Sequence, residues 1–338
     1  MRCADNPANP FAKVACEWEI EPPPAGLEVR EEHARAILTR NDSPDVPYSW
    51  SLNPYRGCQH ACAYCYARRT HEYLDLGAGT DFETKITAKV NAPEVLAQEL
   101  SRPGWRRSHI AFSGVTDCYQ PLESRYQLTR RCLEVCRDFA NPVGIVTKSY
   151  LVARDAELLA DLDRRQAARV LFSIPIADEG TARLIEPGAP PPERRFEAMR
   201  RLHTAGVPVG IIVAPVIPGL SDRDIPALLR RAAECGAQTA CYSPVRLPGN
   251  VADVFLTRLR EKLRGAAGRI EARIRGLHNG RLNDPRFGHR MEANGDYWAG
   301  VERLFETAAL RVGLDPHASW CDGRAEATPA TPRQLPLF

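Results

Sequence analysis

The sequence is poor in lysine and low in net charge. Its 338 residues include 45 lysines and arginines, of which only five are lysines, and the net charge is +3. So small a net charge gives no sign of a strong overall field for nucleic acid. Arginine suits bidentate contacts with phosphates and carboxylates, but a compositional bias of the genome explains the same excess.

Long apolar runs are also missing. No stretch of about 18 apolar residues occurs, so the sequence predicts no membrane-spanning helix. The first residues, MRCADNPANPFAK, lack the apolar segment of a secretion signal. We therefore expect the 11 cysteines in a reducing compartment, the cytoplasm, where clustered thiols bind metal more often than they pair as disulfides.

The middle of the chain alternates two kinds of segment. Short apolar runs rich in β-branched residues begin at positions 109, 143, 169, 207 and 238, and segments with helical spacing, such as 125–139 and 222–235, lie between them. This alternation indicates βαβ units and a parallel sheet, either doubly wound or closed as a barrel. Polar residues follow the runs, which favours a barrel or half-barrel with a site across its top; they are Ser113, Thr116, Asp117, Thr147, Lys148, Ser149, Ser173 and Arg246.

The two ends of the chain differ from this middle. Residues 1–50 are rich in Pro, Asp and Glu and predict a loosely ordered arm. The strand pattern occupies residues 51–250, and residues 251–315 show helical spacing alone. Residues 316–338 are rich in proline and predict a flexible tail.

Three cysteines stand close together in NPYRGCQHACAYCYARRT, residues 53–70. Cys58, Cys62 and Cys65 fall within eight positions, and soft sulfur ligands select zinc or iron–sulfur clusters. A structural zinc ion needs a fourth protein ligand, for which His60 or His71 is available. A four-iron cluster on three cysteines instead keeps one iron open to a small molecule. The residues alone leave both alternatives open.

The segment GCQHACAYCYA resembles the CxxxCxΦC signature of the radical S-adenosylmethionine (radical SAM) enzymes, with Tyr64 at the aromatic position Φ. The resemblance implies that Cys58, Cys62 and Cys65 hold a [4Fe–4S] cluster whose open iron binds S-adenosylmethionine. It implies an α/β fold, a partial (β/α)6 TIM-like barrel with an N-terminal arm and a C-terminal helical extension. It also implies reductive cleavage to a 5′-deoxyadenosyl radical that abstracts hydrogen, with an electron donor such as flavodoxin or ferredoxin.

The same resemblance implies cofactor contacts at the strand ends. Tyr64 would lie against the adenine, and the turn in FSGVTD would bind the methionyl amino group. Ser173 would meet the ribose or carboxylate. Apart from the resemblance, Lys148 is one of only five lysines and stands just past an apolar run, where it would bind a carboxylate or phosphate. The full set of expected cofactor-binding residues is Tyr64, Ser113, Gly114, Thr116, Asp117, Lys148, Ser173, Val213 and Pro215.

Further segments narrow the resemblance to the spore photoproduct lyase-like branch, also described as DNA repair photolyase-like. They include NDSPDVPYSWSLNPYRGC, CYARRTHEYL, TDCYQPLE and APVIPGL, and the similarity spans residues 28–315. True members carry a hydrogen-donor cysteine after the second strand, where Gly114 aligns here. Cys118 lies four residues further on. Either Cys118 is the catalytic donor or this protein does not perform that repair, and we favour the second interpretation.

Two further segments suggest partners. The loop NGRLNDPRFGHR carries Arg281, Arg286 and Arg290, whose guanidinium groups would suit a phosphate-bearing substrate. The terminal QLPLF resembles the peptide with which bacterial polymerases and repair proteins bind the sliding clamp. Its contact residues would be Gln334, Leu335, Leu337 and Phe338.

Two functional hypotheses follow. The first is a radical SAM enzyme acting on an unidentified substrate, with damaged DNA as a candidate. The second is a non-enzymatic protein, associated with the clamp or with nucleic acid, whose thiols hold zinc or a redox-sensing cluster.

Overall fold

The computed structural model describes residues 3–12 and 22–317. Within these ranges the strands are β1 (Glu28–Glu32), β2 (Leu38–Arg40), β3 (Trp50–Leu52), β4 (Tyr55–Arg56), β5 (Lys85–Lys89), β6 (Ile110–Phe112), β7 (Val143–Thr147), β8 (Ala168–Ser173), β9 (Val209–Val216) and β10 (Thr239–Pro244). The α-helices are α1 (Arg69–Glu72), α2 (Thr80–Thr84), α3 (Ala92–Leu100), α4 (Glu123–Tyr126), α5 (Leu128–Asp138), α6 (Ala156–Arg165), α7 (Glu179–Ile185), α8 (Pro192–Thr204), α9 (Ile225–Glu234), α10 (Val251–Lys262), α11 (Arg264–Leu277) and α12 (Asp296–Arg311). Short 3-10 helices cover Tyr66–Arg68, Tyr150–Asp155 and Asp222–Asp224.

The main sheet has seven strands in the order β10-β9-β8-β7-β6-β3-β2 over the described residues. Six of them, from β3 to β10, run parallel, and β2 is antiparallel at the edge. Helices follow these strands along the chain, as parallel connections require. The predicted α/β fold with a partial (β/α)6 TIM-like barrel is confirmed. We call the residues that directly follow the six parallel strands the barrel mouth.

Alternation along each parallel strand separates an outer face from an inner face. Val143 and Ile145 of β7 belong to the main apolar core, which the flanking helices complete. On β8, Val170 and Phe172 point to the same core, so Ser173 shares the opposite face with Leu171. The apolar outer face therefore fixes the register, and polar side chains at the ends of the strands are directed to the mouth.

The N-terminal arm is more ordered than the sequence predicts. Strand β1 pairs in parallel with β5, from Glu28 opposite Lys85 to Glu32 opposite Lys89, and residues 38–40 pair with β3. The sequence EVREE of β1 has little apolar character because the strand lies at an edge and gains its order from main-chain bonds. Order over residues 28–40 therefore corrects the expectation of a loosely ordered arm.

The C-terminal extension is helical, as its spacing predicts. Helix α12 packs on β10, where Phe305 and Trp298 contact the ring of Tyr242 at centroid distances of 4.3 and 5.9 Å. The tail from residue 318 onward lies outside the described residues, and with it the expected clamp-binding residues.

No helix in the described part of the chain has the length and apolar character needed to cross a bilayer.

Candidate active site

The segment from Cys58 to Cys65, here called the cysteine loop, lies at the barrel mouth. It follows Gly57, whose φ of 77° is in the left-handed region that favours glycine. Main-chain bonds join the loop to the segment after β8, from Ala63 N to Ile185 O at 2.9 Å and from Gly188 N to His60 O at 3.1 Å. The segment after β8 therefore helps to hold the cysteine loop in place, in addition to the turns within the loop.

The three thiols are enclosed. Cys58 and Cys62 are buried and Cys65 is half-buried. Burial raises all three pKa values, to about 12 for Cys58, and the charge of Cys65 raises the other two. Thiols in such surroundings are neutral on their own, so a metal centre would take them as thiolates and release protons.

The donor chemistry fits an iron–sulfur cluster. The three sulfurs are soft ligands close enough to influence one another electrostatically. As the side chains stand, no three His, Cys, Asp or Glu residues of the described ranges are placed to hold a metal ion together. The thiols therefore have to rotate toward a common centre when they bind one.

Both histidines proposed as a fourth zinc ligand have other partners. His60 Nδ1 lies 3.3 Å from Asp117 Oδ2, and His71 Nε2 lies 2.9 Å from the carbonyl oxygen of Lys85. The His71 ring also packs edge-on against Phe82, with centroids 5.2 Å apart. Each of these contacts uses one ring nitrogen, as a zinc-bound histidine also does, so they do not decide between the zinc and the cluster alternatives.

Asp117 anchors the cysteine loop to the strand ends. Its carboxylate accepts hydrogen bonds from Thr147 Oγ1 at 2.7 Å and from the backbone nitrogen of Lys148 at 2.8 Å. Burial opposes ionisation, but the charge of His60 and these hydrogen bonds lower the pKa of Asp117 to about 2. Thr116 holds the loop as well, because its hydroxyl donates to Gly57 O at 2.7 Å. In the structure these two side chains therefore fix the loop, whereas the sequence predicts them as cofactor contacts.

Three residues predicted to bind the cofactor meet in one buried network. Lys148 Nζ donates to Ser173 Oγ at 2.6 Å and lies 5.7 Å from the centre of the Tyr64 ring. The Tyr64 hydroxyl donates to Glu186, which also pairs with Arg195. Lys148 Nζ is 3.7 Å from the same carboxylate. The network therefore holds two cations and one carboxylate beside the cysteine loop.

Glu186 is the centre of this network, and sequence reasoning missed it. Burial raises its pKa, but Arg195 and Lys148 outweigh that effect and keep the pKa low. Burial and Glu186 together raise the pKa of Tyr64 well above its usual value, so the phenol remains a donor. Neither Glu186 nor Arg195 belongs to a local motif, since one follows helix α7 and the other lies within α8. No sequence signal was available to find them.

The turn after β6 has unusual backbone geometry. Ser113 has a φ of 100°, a left-handed value that a non-glycine residue adopts at a cost, and Gly114 has a φ of 113°. Ser113 Oγ donates to Val146 O at 2.7 Å, and the Tyr66 hydroxyl donates to Gly114 O at 2.5 Å. Strained backbone held by its surroundings is common at functional sites, which supports the expectation that this turn binds a cofactor.

The Cys118 thiol lies next to the turn after β6 but is closed off from solvent. Its side chain has no solvent exposure and belongs to the main apolar core. Ser113 Oγ lies 3.4 Å from its sulfur, and burial raises its thiol pKa well above the usual value. The structure therefore argues against Cys118 as a hydrogen donor.

The predicted adenine contacts on β9 differ in exposure. Val213 is fully buried and packs in the outer core, so its side chain is directed away from the mouth. Pro215 is half-buried near the end of the strand. Of this pair, only Pro215 keeps exposed surface that a ligand can contact.

The arginines of the 281–290 loop are mostly occupied. Arg286 is exposed and pairs with Asp284 at 2.6 Å, whereas Arg290 pairs with Asp45 at 2.5 Å and donates to Ser43 Oγ at 2.6 Å. The loop is thereby fastened to the segment that precedes β3.

Comparison with known proteins gives a consistent result. The family model described as the Radical SAM superfamily matches residues 52–232. An uncharacterized protein of Mycobacterium tuberculosis is 37% identical over 234 residues, which are 68% of this chain and 69% of that protein. A radical SAM Nalpha-GlyT isomerase of Pseudomonas phage M6 is 25% identical over 62% of this chain and 42% of its own length.

A solved structure of spore photoproduct lyase complexed with dinucleoside spore photoproduct has a similar fold. The TM-score is 0.61, the identity is 18%, and the match covers 85% of this chain and 81% of that one. At this identity the likeness shows the fold alone.

Proposed function

The chain belongs to the radical SAM superfamily, whose enzymes use a [4Fe–4S] cluster and S-adenosylmethionine, and on this premise we propose that Cys58, Cys62 and Cys65 hold the cluster. When bound, the cluster supplies the electron that splits S-adenosylmethionine into methionine and a 5′-deoxyadenosyl radical. That radical abstracts hydrogen from the substrate. The observation that carries the proposal is the meeting of Lys148, Ser173 and Tyr64 beside the cysteine loop.

Lys148 is the residue we propose for the methionine carboxylate. Its ammonium group lies at the end of β7 and is turned toward Ser173 and Glu186. A carboxylate bound there would form a charge-assisted hydrogen bond in surroundings that screen charge poorly. The strained turn at Ser113 and Gly114 offers main-chain groups for the amino group. The Tyr64 ring, fixed by Glu186, supplies a flat surface for the adenine.

Damaged DNA, or a related nucleic acid, is the substrate class we propose. Support comes from the fold shared with spore photoproduct lyase, whose structure contains a dinucleoside spore photoproduct, and from Arg246, which follows β10 at the mouth. The reaction differs from a repair that returns hydrogen from a cysteine after the second strand, because Gly114 stands there and Cys118 is enclosed in the core.

An electron donor such as flavodoxin or ferredoxin is the partner that this chemistry requires. A cavity of about 360 Å³ borders the cysteine loop and is lined in part by His60, Ser149 and Gly188. It brings solvent, or a docked protein, close to the loop. No disulfide joins two cysteines of the described ranges, which suits the reducing cytoplasm we propose. Docking of residues 334–338 onto a sliding clamp stays a prediction.

Anaerobic purification tests the proposal. We expect a brown protein with iron and acid-labile sulfide, which forms 5′-deoxyadenosine when reduced with S-adenosylmethionine. Cys62→Ala should abolish this, whereas Cys136→Ala, a buried cysteine outside the loop, should not. UV-damaged DNA should stimulate the reaction or lose its lesions. A colourless zinc protein would instead support the non-enzymatic hypothesis.

A further inference from the structure

Arg246 is a half-buried arginine at the barrel mouth that pairs with no carboxylate among residues 3–12 and 22–317. It follows β10, and its guanidinium carbon lies 4.9 Å from the centre of the Tyr66 ring. Apart from this stacking, no hydrogen bond or ion pair within the described part of the chain involves it. Its guanidinium donors are therefore available to a ligand.

The two most deeply buried arginines of the described residues each pair with a carboxylate. Arg68 pairs with Glu83 at 2.6 Å, and Arg195 pairs with Glu186. Taking a cation out of water without an anion is costly, which is why such pairs are the rule. Arg246 departs from this pattern.

Asp45 is the carboxylate that acts on Arg246, and it already has other partners. Asp45 pairs with Arg290 at 2.5 Å and accepts a hydrogen bond from Gly288 N at 2.7 Å. Burial lowers the pKa of Arg246, the charge of Arg290 lowers it further, and Tyr66 and Asp45 act in the opposite direction. Arg246 and Arg290 therefore share the attraction of one carboxylate, that of Asp45. An excess of positive charge is left beside Arg246 at the mouth.

The position of Arg246 links this charge to the reaction site. Tyr66 directly follows Cys65, and its hydroxyl donates to Gly114 O at 2.5 Å. The guanidinium group therefore lies over an aromatic ring that bridges the cysteine loop and the turn after β6. An anion bound there would hold its molecule beside the place where the radical forms.

We propose that Arg246, stacked on Tyr66, binds a phosphodiester group of a nucleic-acid strand and positions the strand over the mouth. This inference rests on the proposed function and names the group of the substrate that is recognised. The planar guanidinium group matches phosphate geometry. Two exposed rings, Tyr66 at 45% exposure under Arg246 and Phe287 at 64% exposure under Arg290, suit unstacked bases. Aromatic rings alternating with cations are typical of single-strand binding.

Binding of a short fluorescent single-stranded oligonucleotide to the anaerobically prepared holoprotein tests the inference. Arg246→Gln should weaken binding by about tenfold to about a hundredfold, as loss of a charged hydrogen bond does. It should also lower the slope of log affinity against log salt by about 0.7. Arg246→Lys should restore the slope but only part of the affinity, because lysine lacks the planar fork.

Arg164→Gln is the matched control, because that arginine is exposed at the end of α6, where the chain enters β8, and is already paired with Asp161. It should bind the oligonucleotide as the wild type does. Circular dichroism spectra identical to wild type would show that each variant is folded. Equal affinity and equal salt slope for Arg246→Gln and wild type would overturn the inference.

Oligonucleotides with neutral methylphosphonate linkages identify the phosphodiester as the bound group. One such linkage should weaken binding to the wild type and have little further effect on Arg246→Gln. If wild type and variant lose the same factor, Arg246 does not contact the phosphate and the inference fails. Competition by inorganic phosphate alone, with no effect of the neutral linkage, would point to an adventitious anion site and also overturn it.

Failure of the proposed function gives a different result. A wild-type protein that makes no 5′-deoxyadenosine but still binds the strand through Arg246 would contradict the proposed reaction and support the phosphodiester site. A protein that makes 5′-deoxyadenosine and binds the strand equally well with and without Arg246 would support the proposed reaction and contradict the phosphodiester site.

Discussion

Lys148 Nζ and Ser173 Oγ are joined by a hydrogen bond of 2.6 Å across two neighbouring strands. The register that pairs Thr147 with Phe172 brings the next residue of each strand side by side. Both residues therefore reach the mouth at the same level, although 25 positions separate them in the chain. An ammonium group held this way has a fixed direction before any ligand arrives, and that order reduces the entropic cost of binding.

Replacing Lys148 with methionine should weaken binding of S-adenosylmethionine. The change keeps the side-chain length but removes the cation proposed for the methionine carboxylate. Loss of one charged hydrogen bond predicts a fall in affinity of about tenfold to about a hundredfold. Equilibrium binding of S-adenosylmethionine to the anaerobic protein measures it. Lys262→Met, on the exposed surface of α10, serves as control, and equal affinities for both variants would contradict the assignment.

Glu186→Gln should destabilise the fold. The substitution leaves Arg195, which is 1% exposed, without its carboxylate. Removing one partner of a buried ion pair predicts a loss of about 3 kcal/mol in the free energy of unfolding. Anaerobic urea unfolding followed by circular dichroism measures the change. Glu179→Gln breaks an exposed pair with Arg183 and should leave the midpoint nearly unchanged, since surface pairs contribute little. A similar midpoint for both variants would refute the importance of the buried pair.

Much of the barrel was predictable because its strands are local apolar runs. The runs beginning at 109, 143, 169, 207 and 238 became β6 to β10, since a buried parallel strand needs continuous apolar character. Strand β3 was missed because its three residues, Trp50–Leu52, form too short a run to stand out.

The candidate site was predictable only where residues follow a strand directly or belong to a motif. Lys148 and Ser173 follow that rule. The sequence does not predict the pairing of Glu186 with Arg195, or that Arg246 lacks a carboxylate partner among the described residues. Long-range packing decides which charged groups meet. The contacts of Asp117 and Thr116 with the cysteine loop could not be predicted for the same reason. In the sequence, a polar residue at a strand end that binds a ligand cannot be distinguished from one that binds a neighbouring loop.

His109 should make stability depend on pH in mildly acidic solution. Burial lowers its pKa to about 4, and the charge of Arg169 adds to this effect. The folded state therefore resists protonation that the unfolded chain accepts near its ordinary value of 6.5. Stability from this residue is complete above pH 6.5 and falls as the pH drops toward 4, by about 3 kcal/mol at most.

Urea unfolding of His109→Gln between pH 7 and pH 4.5 tests this prediction, with the wild type as reference. The variant lacks the titrating group, so its stability should decline less steeply over that range. His317→Gln, near the end of the described residues and exposed, provides the control and should retain the wild-type slope. Parallel curves for wild type and His109→Gln would exclude His109 as the cause.

Cys118→Ala should leave the chemistry intact. The thiol is enclosed in the apolar core, so it is closed off from any substrate at the mouth. We expect wild-type yields of 5′-deoxyadenosine and an unchanged product pattern with UV-damaged DNA, together with a modest loss of stability from the vacated volume. Liquid chromatography with mass detection measures both products. A change in product pattern at full cluster content would restore Cys118 as a hydrogen donor.

Gly188→Ala should displace the cysteine loop, although Gly188 itself lies outside the loop. A Cβ at this position would lie 2.0 Å from the carbonyl oxygen of Gln59, a contact that backbone atoms cannot relieve by side-chain rotation. Either the segment after α7 or the cysteine loop must move, and the bond from Gly188 N to His60 O would break. Because the three cysteines proposed as ligands cannot reach one centre together from a displaced loop, the iron content per chain should fall well below that of the wild type. Gly265→Ala, where a Cβ meets nothing within 4 Å, should keep full iron content. Equal iron in both variants would show that the loop holds its shape without the segment after α7.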